Sequence, residues 1–270
     1  QNVKTLVMRG VHVVTPVSGH LACGDSGAGK LEDVEVIARR ADEVLCAKRV
    51  LEGLRVLVTA GPSREALDPV RYISNRSSGK MGYCIAENAA KRGAKVTLLS
   101  GPVSLDAPKG VNIVPFLTTQ ELLDHALELV DEQDIIIQAA APADYRAQEI
   151  APQKIKKQSG EPMTLTLVEN PDVAATIGQK KKASQVFVGF AAETNDVIEH
   201  AQGKLMRKNL DMIVANDVTR PGAGFDVDTN IVTLISQSGA KALPLMSKAD
   251  VAGHILDYAF ELYLEKANAQ

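Results

Sequence analysis

The chain has 270 residues, 45% hydrophobic and 23% charged, with a formal net charge of -3. That length and balance suit one large globular domain or two small ones, and the charge gives no footprint for nucleic acid or a membrane surface. Aromatic residues make up only 4%, tryptophan is absent, and no apolar run reaches bilayer length, which argues against a base-stacking platform or a transmembrane anchor.

Residues 1–50 are too few to bury a core alone. They read as a short strand at 11–14, a loop-rich stretch at 16–30 and a charged helical pattern at 31–50. Residues 24–30, G-D-S-G-A-G-K, match the beginning of a Walker A loop. The next residue is Leu31, where such a loop needs Ser or Thr, and Glu32 and Asp33 follow where phosphate would sit. A flexible Gly-rich loop is the plainer alternative. The first residue is Gln1, and the chain enters directly into structured-looking sequence, which suggests a fragment or processed product. Cys23, Cys46 and Cys84 have neither C-x-x-C nor metal-ligand spacing, so reduced thiols and a cytoplasmic location are expected.

Glu52-Gly53-Leu54 reads as a linker into the main domain. Strands are predicted at 55–59, 94–100 and 111–116, and a helical pattern runs through Ile85, Ala86, Ala89 and Ala90. A helix is predicted at 119–130, capped by Thr118 or Thr119. Residues 134–138 are apolar on both faces, as a central parallel strand should be. A strand at 163–168 precedes a helix opened by Asn170 as cap with Pro171 at its first position. Strands at 185–190 and 211–215 enclose a helix at 195–209. A hairpin turns at Ser238-Gly239 between 230–236 and 241–245, and a helix capped by Ser247 closes the chain at 247–264. Alternating apolar strands and helices predict an α/β fold: a Rossmann-like, doubly wound, mostly parallel sheet with an antiparallel hairpin extension.

The polar motifs follow strands, at the edge where ligands bind in this architecture. Residues 71–82, R-Y-I-S-N-R-S-S-G-K-M-G, lie between a strand and a helix. Gly79 and Gly82 permit close backbone approach, and Ser77, Ser78 and Lys80 supply donors for phosphate or carboxylate. Asn75 both donates and accepts, which suits orienting a reacting carboxylate. Asp144 can accept from an amino group on a base, or cap a helix. Lys154, Lys156 and Lys157 can follow a phosphorus centre through reaction, or form a solvated loop. The turn at Asn170, Pro171, Asp172, Val173 and Ala174 offers helix N–H groups to an anion. Lys204 and Lys208 share one helix face.

Taken together, V-T-A-G-P-S-R-E followed by L-D-P-V-R-Y-I-S-N-R-S-S-G-K-M-G, then A-A-P-A-D-Y-R, K-I-K-K, N-P-D and G-F-A-A-E-T, closely resemble phosphopantothenate–cysteine ligases. The resemblance runs from about 51 to 263. Residues 16–30 resemble the tail of the flavin-dependent phosphopantothenoylcysteine decarboxylase fused before the ligase in bacteria. The implied domains are a decarboxylase remnant with linker at 1–50 and a ligase at 51–270.

The resemblance implies CTP-dependent joining of 4'-phosphopantothenate and L-cysteine through an acyl-cytidylate, with Mg²⁺ carried on the CTP. FMN belongs to the missing decarboxylase part. A homodimer through the ligase domain, and a larger assembly of the full-length protein, are implied partners. By matching motif, Asn75 holds the acyl-cytidylate and Lys154 stabilises the reacting phosphates. Gln138, Ala139, Ala140 and Asp144 recognise cytosine and ribose. Pro171, Asp172, Val173, Ala174, Phe190, Lys204 and Lys208 complete the CTP site, and Arg71 lies on the pantothenate side. Cys23 corresponds to the decarboxylase proton donor and is expected to be idle here. Two rivals suit the same fold: an NAD(P)-dependent oxidoreductase, which lacks its G-x-G-x-x-G after the first strand, and a non-catalytic nucleotide sensor.

Overall fold

The computed structural model describes residues 2–9, 11–20, 26–46, 49–157, 160, 162–193, 197–217, 224 and 227–269. Its contacts fall into two compact units, residues 1–50 and 51–270.

The first unit contains α1 (Asn2–Met8), β1 (Val17–His20), β2 (Ser26–Lys30) and α2 (Val34–Cys46). β1 and β2 pair antiparallel, from Val17 opposite Lys30 to His20 opposite Ser26. Residues 11–14, expected as a strand, have no regular structure, because the ladder that would satisfy their backbone begins only at Val17. The Gly-rich loop expected at 24–30 is a strand from Ser26 onward. Residues 26–30 are extended and pair with β1 rather than curling as a Walker A loop does, and residues 24 and 25 lie outside the described residues. Cys23 lies outside the described residues.

In the second unit, an eight-stranded sheet has the order β15-β14-β12-β11-β8-β3-β6-β7. Its six parallel strands are β3 (Arg55–Ala60), β6 (Lys95–Ser100), β7 (Val111–Pro115), β8 (Ile135–Gln138), β11 (Val186–Glu193) and β12 (Met212–Asp217). The hairpin of β14 (Val232–Ser236) and β15 (Gly239–Ala242) adds antiparallel to β12. This is the expected doubly wound sheet with its hairpin extension. The second hairpin strand starts and ends earlier than 241–245, since Met246–Ser247 (β16) pairs instead with Thr229–Asn230 (β13). Two further ribbons lie off the main sheet: β4 (Glu65–Ala66) with β5 (Tyr72–Ile73), and β9 (Tyr145–Ala147) with β10 (Leu167–Glu169). The strand expected at 163–168 shrinks to β10 because β9 offers only three residues to pair with.

Period-two alternation sends neighbouring strand residues to opposite faces. Val56, Val58, Ile135, Ile137, Val186 and Val188 meet Ile85, Ala86 and Ala89 of α3 (Lys80–Lys91) and Val251, Ile255 and Leu256 of α7 (Lys248–Asn268). Leu57, Ile136, Phe187 and Ile213 face the other way. They pack against Leu122 and Ala126 of α4 (Thr119–Leu129), Ile177 of α5 (Val173–Lys180) and Leu205 of α6 (Val197–Arg207). Each fully buried Ile, Leu or Phe contributes about 1.5–3 kcal/mol relative to exposure. The supposed linker at 52–54 is a tight turn. Leu51 is fully buried, and its N–H donates to the Arg92 carbonyl at 3.0 Å, closing the turn onto the end of α3.

Candidate functional site

Strand order alone locates the crevice. From β3 the chain moves outward to β6 and β7, then returns to place β8 on the opposite side of β3. The connections after β3 and β8 therefore diverge, and an opening forms beyond their carboxyl ends. A cavity of about 800 Å³ lies there.

Its floor is made by two loops zipped side by side. The N–H of Ala139 donates to the Thr59 carbonyl at 3.2 Å, that of Ala140 to the Thr59 hydroxyl at 3.1 Å, and that of Ala141 to the Gly61 carbonyl at 2.9 Å. α3 then starts close against β3. A β-carbon on Gly82 would stand 2.5 Å from that of Ala60 and 2.9 Å from the Thr59 carbonyl oxygen, so only glycine allows this approach. Gly79 occupies the cap position of α3 at φ 77° and offers no capping side chain. The first-turn N–H groups of Lys80, Met81 and Gly82 thus carry the positive end of the helix dipole at the cavity wall. Asn75 is exposed at the rim, where its side-chain amino group donates to the Pro142 carbonyl at 2.9 Å and ties the two loops together.

The opposite wall belongs to α5 and α6. Asp172, not Asn170, caps α5: its carboxylate accepts from the Ala175 N–H at 3.0 Å. Asn170 is instead turned back, donating from its side chain to the Ala143 carbonyl at 2.8 Å. Asp172 also pairs with Lys208, 2.9 Å away. Burial pushes the Asp172 pKa up, but the Ala175 N–H and the Lys208 ammonium outweigh it, and the carboxyl sits below its usual value. Lys208 therefore reaches the wall as half of an ion pair rather than as a lone cation. Lys204 lines the same wall one turn earlier.

Among the residues proposed from sequence, the structure brings Asn75, Gln138, Ala139, Ala140, Asp144, Pro171, Asp172, Val173, Ala174, Phe190, Lys204 and Lys208 to this cavity. It does not bring Arg71 or Lys154. Arg71 is bound to Asp68 through two nitrogens, at 2.6 and 3.0 Å, and donates to the Ile155 carbonyl at 2.6 Å. Asp68 in turn accepts from the Ile155 N–H at 3.1 Å. Burial pushes the Asp68 carboxyl up, but the N–H groups of Val70, Ile155 and Arg71 and the Arg71 guanidinium hold it well below the usual carboxylate range. Arg71 is thus the clamp for the segment carrying Lys154, which is itself exposed to solvent.

Two wall residues, Lys248 and Asn216, escaped sequence reading, as did the partner of Lys80. Lys248 is only 4% exposed and donates to the carbonyls of Gly224 and Val227, at 3.0 and 2.5 Å. Lysine is almost never buried this deeply, so nothing in the sequence around the Ser247 cap marks this one as a wall residue. Lys80 pairs with Asp228 at 2.7 Å across 148 residues of sequence, a partner that no local pattern can reveal. Gln138 and Asn216 each present a buried side-chain oxygen with no hydrogen-bond partner among the described residues. Both line the cavity, where a ligand N–H would satisfy them. Among the described residues, no group of three or more His, Cys, Asp or Glu could hold a metal ion, and no helix is long and apolar enough to cross a membrane. Chemically, the cavity offers two helix N-termini, lysine charge and unpaired amide oxygens: a setting for a ligand with phosphates at one end and N–H donors at another.

The domain family described as DNA/pantothenate metabolism flavoprotein C-terminal domain matches residues 51–262. The chain is 48% identical over 263 residues to the coenzyme A biosynthesis bifunctional protein CoaBC of Haemophilus influenzae, covering 97% of this chain and 65% of that protein. It is 47% identical over 260 residues to the Bacillus subtilis protein of the same name, covering 95% and 64%. The chain thus spans just under two thirds of the length of these curated relatives. Among solved structures, the C-terminal domain of a CoaBC protein superposes with a TM-score of 0.68 at 39% identity, covering 80% of this chain and 98% of that one. A Cab2 mutant in complex with phosphopantothenate-cysteine superposes with a TM-score of 0.68 over 87% of this chain and 94% of that one. At 15% identity, that likeness is one of fold.

Proposed function

Because the chain belongs to the DNA/pantothenate metabolism flavoprotein C-terminal domain family, we propose that it joins 4'-phosphopantothenate to L-cysteine at the expense of CTP, a step in coenzyme A biosynthesis. In the first half-reaction, a carboxylate oxygen of 4'-phosphopantothenate attacks the α-phosphorus of CTP. The bond to the β-phosphate oxygen breaks, and pyrophosphate leaves. In the second, the cysteine amine attacks the acyl carbon, the bond to the cytidylate oxygen breaks, and CMP leaves as the amine proton is lost. The protein's task is to hold the polyphosphate, align the carboxylate and keep water away.

The observation that carries this reading is the cavity wall itself. Asn75, Gln138, Asp144, the α5 N-terminus, Phe190, Lys204 and Lys208 come from elements and connections far apart in the chain, yet line one space. In the proposed roles, Asn75, anchored on the Pro142 carbonyl, orients the acyl group. The α3 and α5 N-termini with Lys204 and Lys208 meet the phosphates. Gln138 and the backbone of Ala139 and Ala140, with Asp144, take the base and ribose. Mg²⁺, carried on the triphosphate, would neutralise charge there. Lys154 acts on the reacting phosphates only after its segment moves inward from its exposed position. Flavin chemistry and Cys23 take no part in this ligation, and the homodimer and larger assembly implied by the resemblance belong to the same reading.

One observation favours a second reading, a non-catalytic nucleotide binder: Lys154 is not on the cavity wall. Incubating the chain with CTP, 4'-phosphopantothenate and cysteine separates the two. Release of CMP and pyrophosphate that requires all three supports the ligase; CTP binding without turnover supports the binder.

A further inference from the structure

We propose that Glu65, acting through Thr119 and Ser63, is the positioning residue for the nucleotide side of the cavity. The inference rests on the ligase reading and names what holds its base-and-ribose segment in place. Glu65, Ser63 and Thr119 are 4%, 0% and 1% exposed, so no bulk water can replace a bond lost among them.

The hydrogen bonds have a direction. A Glu65 carboxylate oxygen, which only accepts, takes both the backbone N–H of Thr119 at 2.9 Å and its hydroxyl at 2.8 Å. A hydroxyl has one proton. With that proton on Glu65, the 3.0 Å contact between the Thr119 and Ser63 hydroxyls is filled by the proton of Ser63. The Ser63 oxygen is then aimed to accept the Ala143 N–H at 2.9 Å. The side-chain amino group of Asn170 spans the Thr119 oxygen at 3.4 Å and the Ala143 carbonyl at 2.8 Å. The Asn170 backbone N–H donates to the Asp144 carbonyl at 2.8 Å. One buried carboxylate thereby orders a chain of donors that holds the N–H and carbonyl of Ala143 and the carbonyl of Asp144. The same chain joins the loop after β8 to the turn that opens α5. Thr119 is the pin: it starts α4, lines the cavity and stands within 3.4 Å of Glu65, Ser63, Asn170 and the Ala143 carbonyl.

The test uses the 270-residue chain with Thr119→Val, which keeps the shape and deletes the hydroxyl, and Thr119→Ser, which restores it. CTP affinity is measured by calorimetry, and KM is measured for each of the three substrates. Thr119→Val should weaken CTP binding and raise the KM for CTP about tenfold, the scale of a buried group left unpaired, with the KM for cysteine unchanged. Thr119→Ser should recover most of the loss, and Glu65→Ala should reproduce it. If Thr119→Val does not fold, Ser63→Ala, which adds no bulk, should weaken CTP binding in the same sense. A folded Thr119→Val or Ser63→Ala with wild-type CTP affinity overturns the inference. So does an equal rise in KM for all three substrates, or a Thr119→Ser that fails to recover. If the wild-type chain binds no CTP, the ligase reading falls and this inference with it; wild-type binding with indifferent variants sinks the inference alone.

Discussion

Gly82→Ala asks whether α3 must press against β3 to form the site. The added β-carbon would lie 2.5 Å from the Ala60 β-carbon, 2.9 Å from the Thr59 carbonyl oxygen and 3.1 Å from the Ala60 α-carbon. Carbon atoms rest near 3.5–4.0 Å apart, so the start of the helix must retreat by roughly 1 Å. These neighbours are strand backbone and a methyl stub, which have no rotamer to escape into. Overpacking of this kind costs about 1–3 kcal/mol, and the better helix propensity of alanine returns up to about 1 kcal/mol. With the full propensity gain the net loss is about 0–2 kcal/mol, which for a unit of this size lowers the Tm by up to roughly 8 °C, against the rise expected for the control below. Gly203→Ala in α6 is the control, since its new β-carbon meets nothing within 4 Å. It gains the propensity term alone, and its Tm should rise by roughly 2–4 °C. Thermal and urea denaturation of both variants, with CTP binding by calorimetry, provide the readout. Gly82→Ala should also weaken CTP binding as the α3 N-terminus draws back. If Gly82→Ala proves as stable as Gly203→Ala and binds CTP like wild type, the close seating of α3 is not what shapes the cavity.

Lys154→Ala should sharply lower turnover while leaving the melting curve unchanged, because its side chain is exposed; full activity would remove Lys154 from the mechanism. Asp172→Asn keeps a cap-competent side chain but removes the charge paired with Lys208. Since the folded Asp172 carboxyl lies below its ordinary value, its charge stabilises the fold above about pH 4 and that contribution disappears as pH falls through the lowered value. The wild-type advantage over Asp172→Asn in urea denaturation should therefore be full at pH 7 and shrink below pH 4, and a constant gap would contradict the assignment. Asp211 holds Lys181 at 2.7 Å and Lys266 at 2.6 Å with little exposure. Asp211→Ala should cost about 3 kcal/mol in denaturation experiments, and a loss near zero would mean solvent reaches both ammonium groups.

How legible each part was depended on the range of the interaction behind it. Strand and helix assignments from 55 onward rest on local periodicity. The unbroken Ile135-Ile136-Ile137 run, for instance, reads as a strand buried on both faces and is one. The misplacements came where a partner was needed. Residues 11–14 and 163–166 have strand-like composition but pair with no strand among the described residues beyond the bond from the Gln148 N–H to the Thr166 carbonyl, and Asn170 surrendered the cap to Asp172 because its side chain is held by the Ala143 carbonyl. Most of the candidate wall was legible because its motifs follow strands, and strand ends in a parallel sheet converge on one edge. Arg71 and Lys154 sit in equally suggestive motifs but lie elsewhere, since Asp68 captures Arg71 and the backbone of Ile155.

The sequence by itself determined the layering of the unit at 51–270 and pointed to the loop at 71–82, of which residues 75–82 line the candidate cavity. Hydrophobic period and glycine placement act within a few residues, so they can be read without a fold. Only the tertiary structure decided which charges meet. It paired Lys208 with Asp172 and Lys80 with Asp228, buried Lys248 among carbonyls, and placed Glu65 behind Thr119, 54 residues away. A charge or a buried hydroxyl takes its role from whatever stands within 3 Å, and chain distance carries no information about that neighbour.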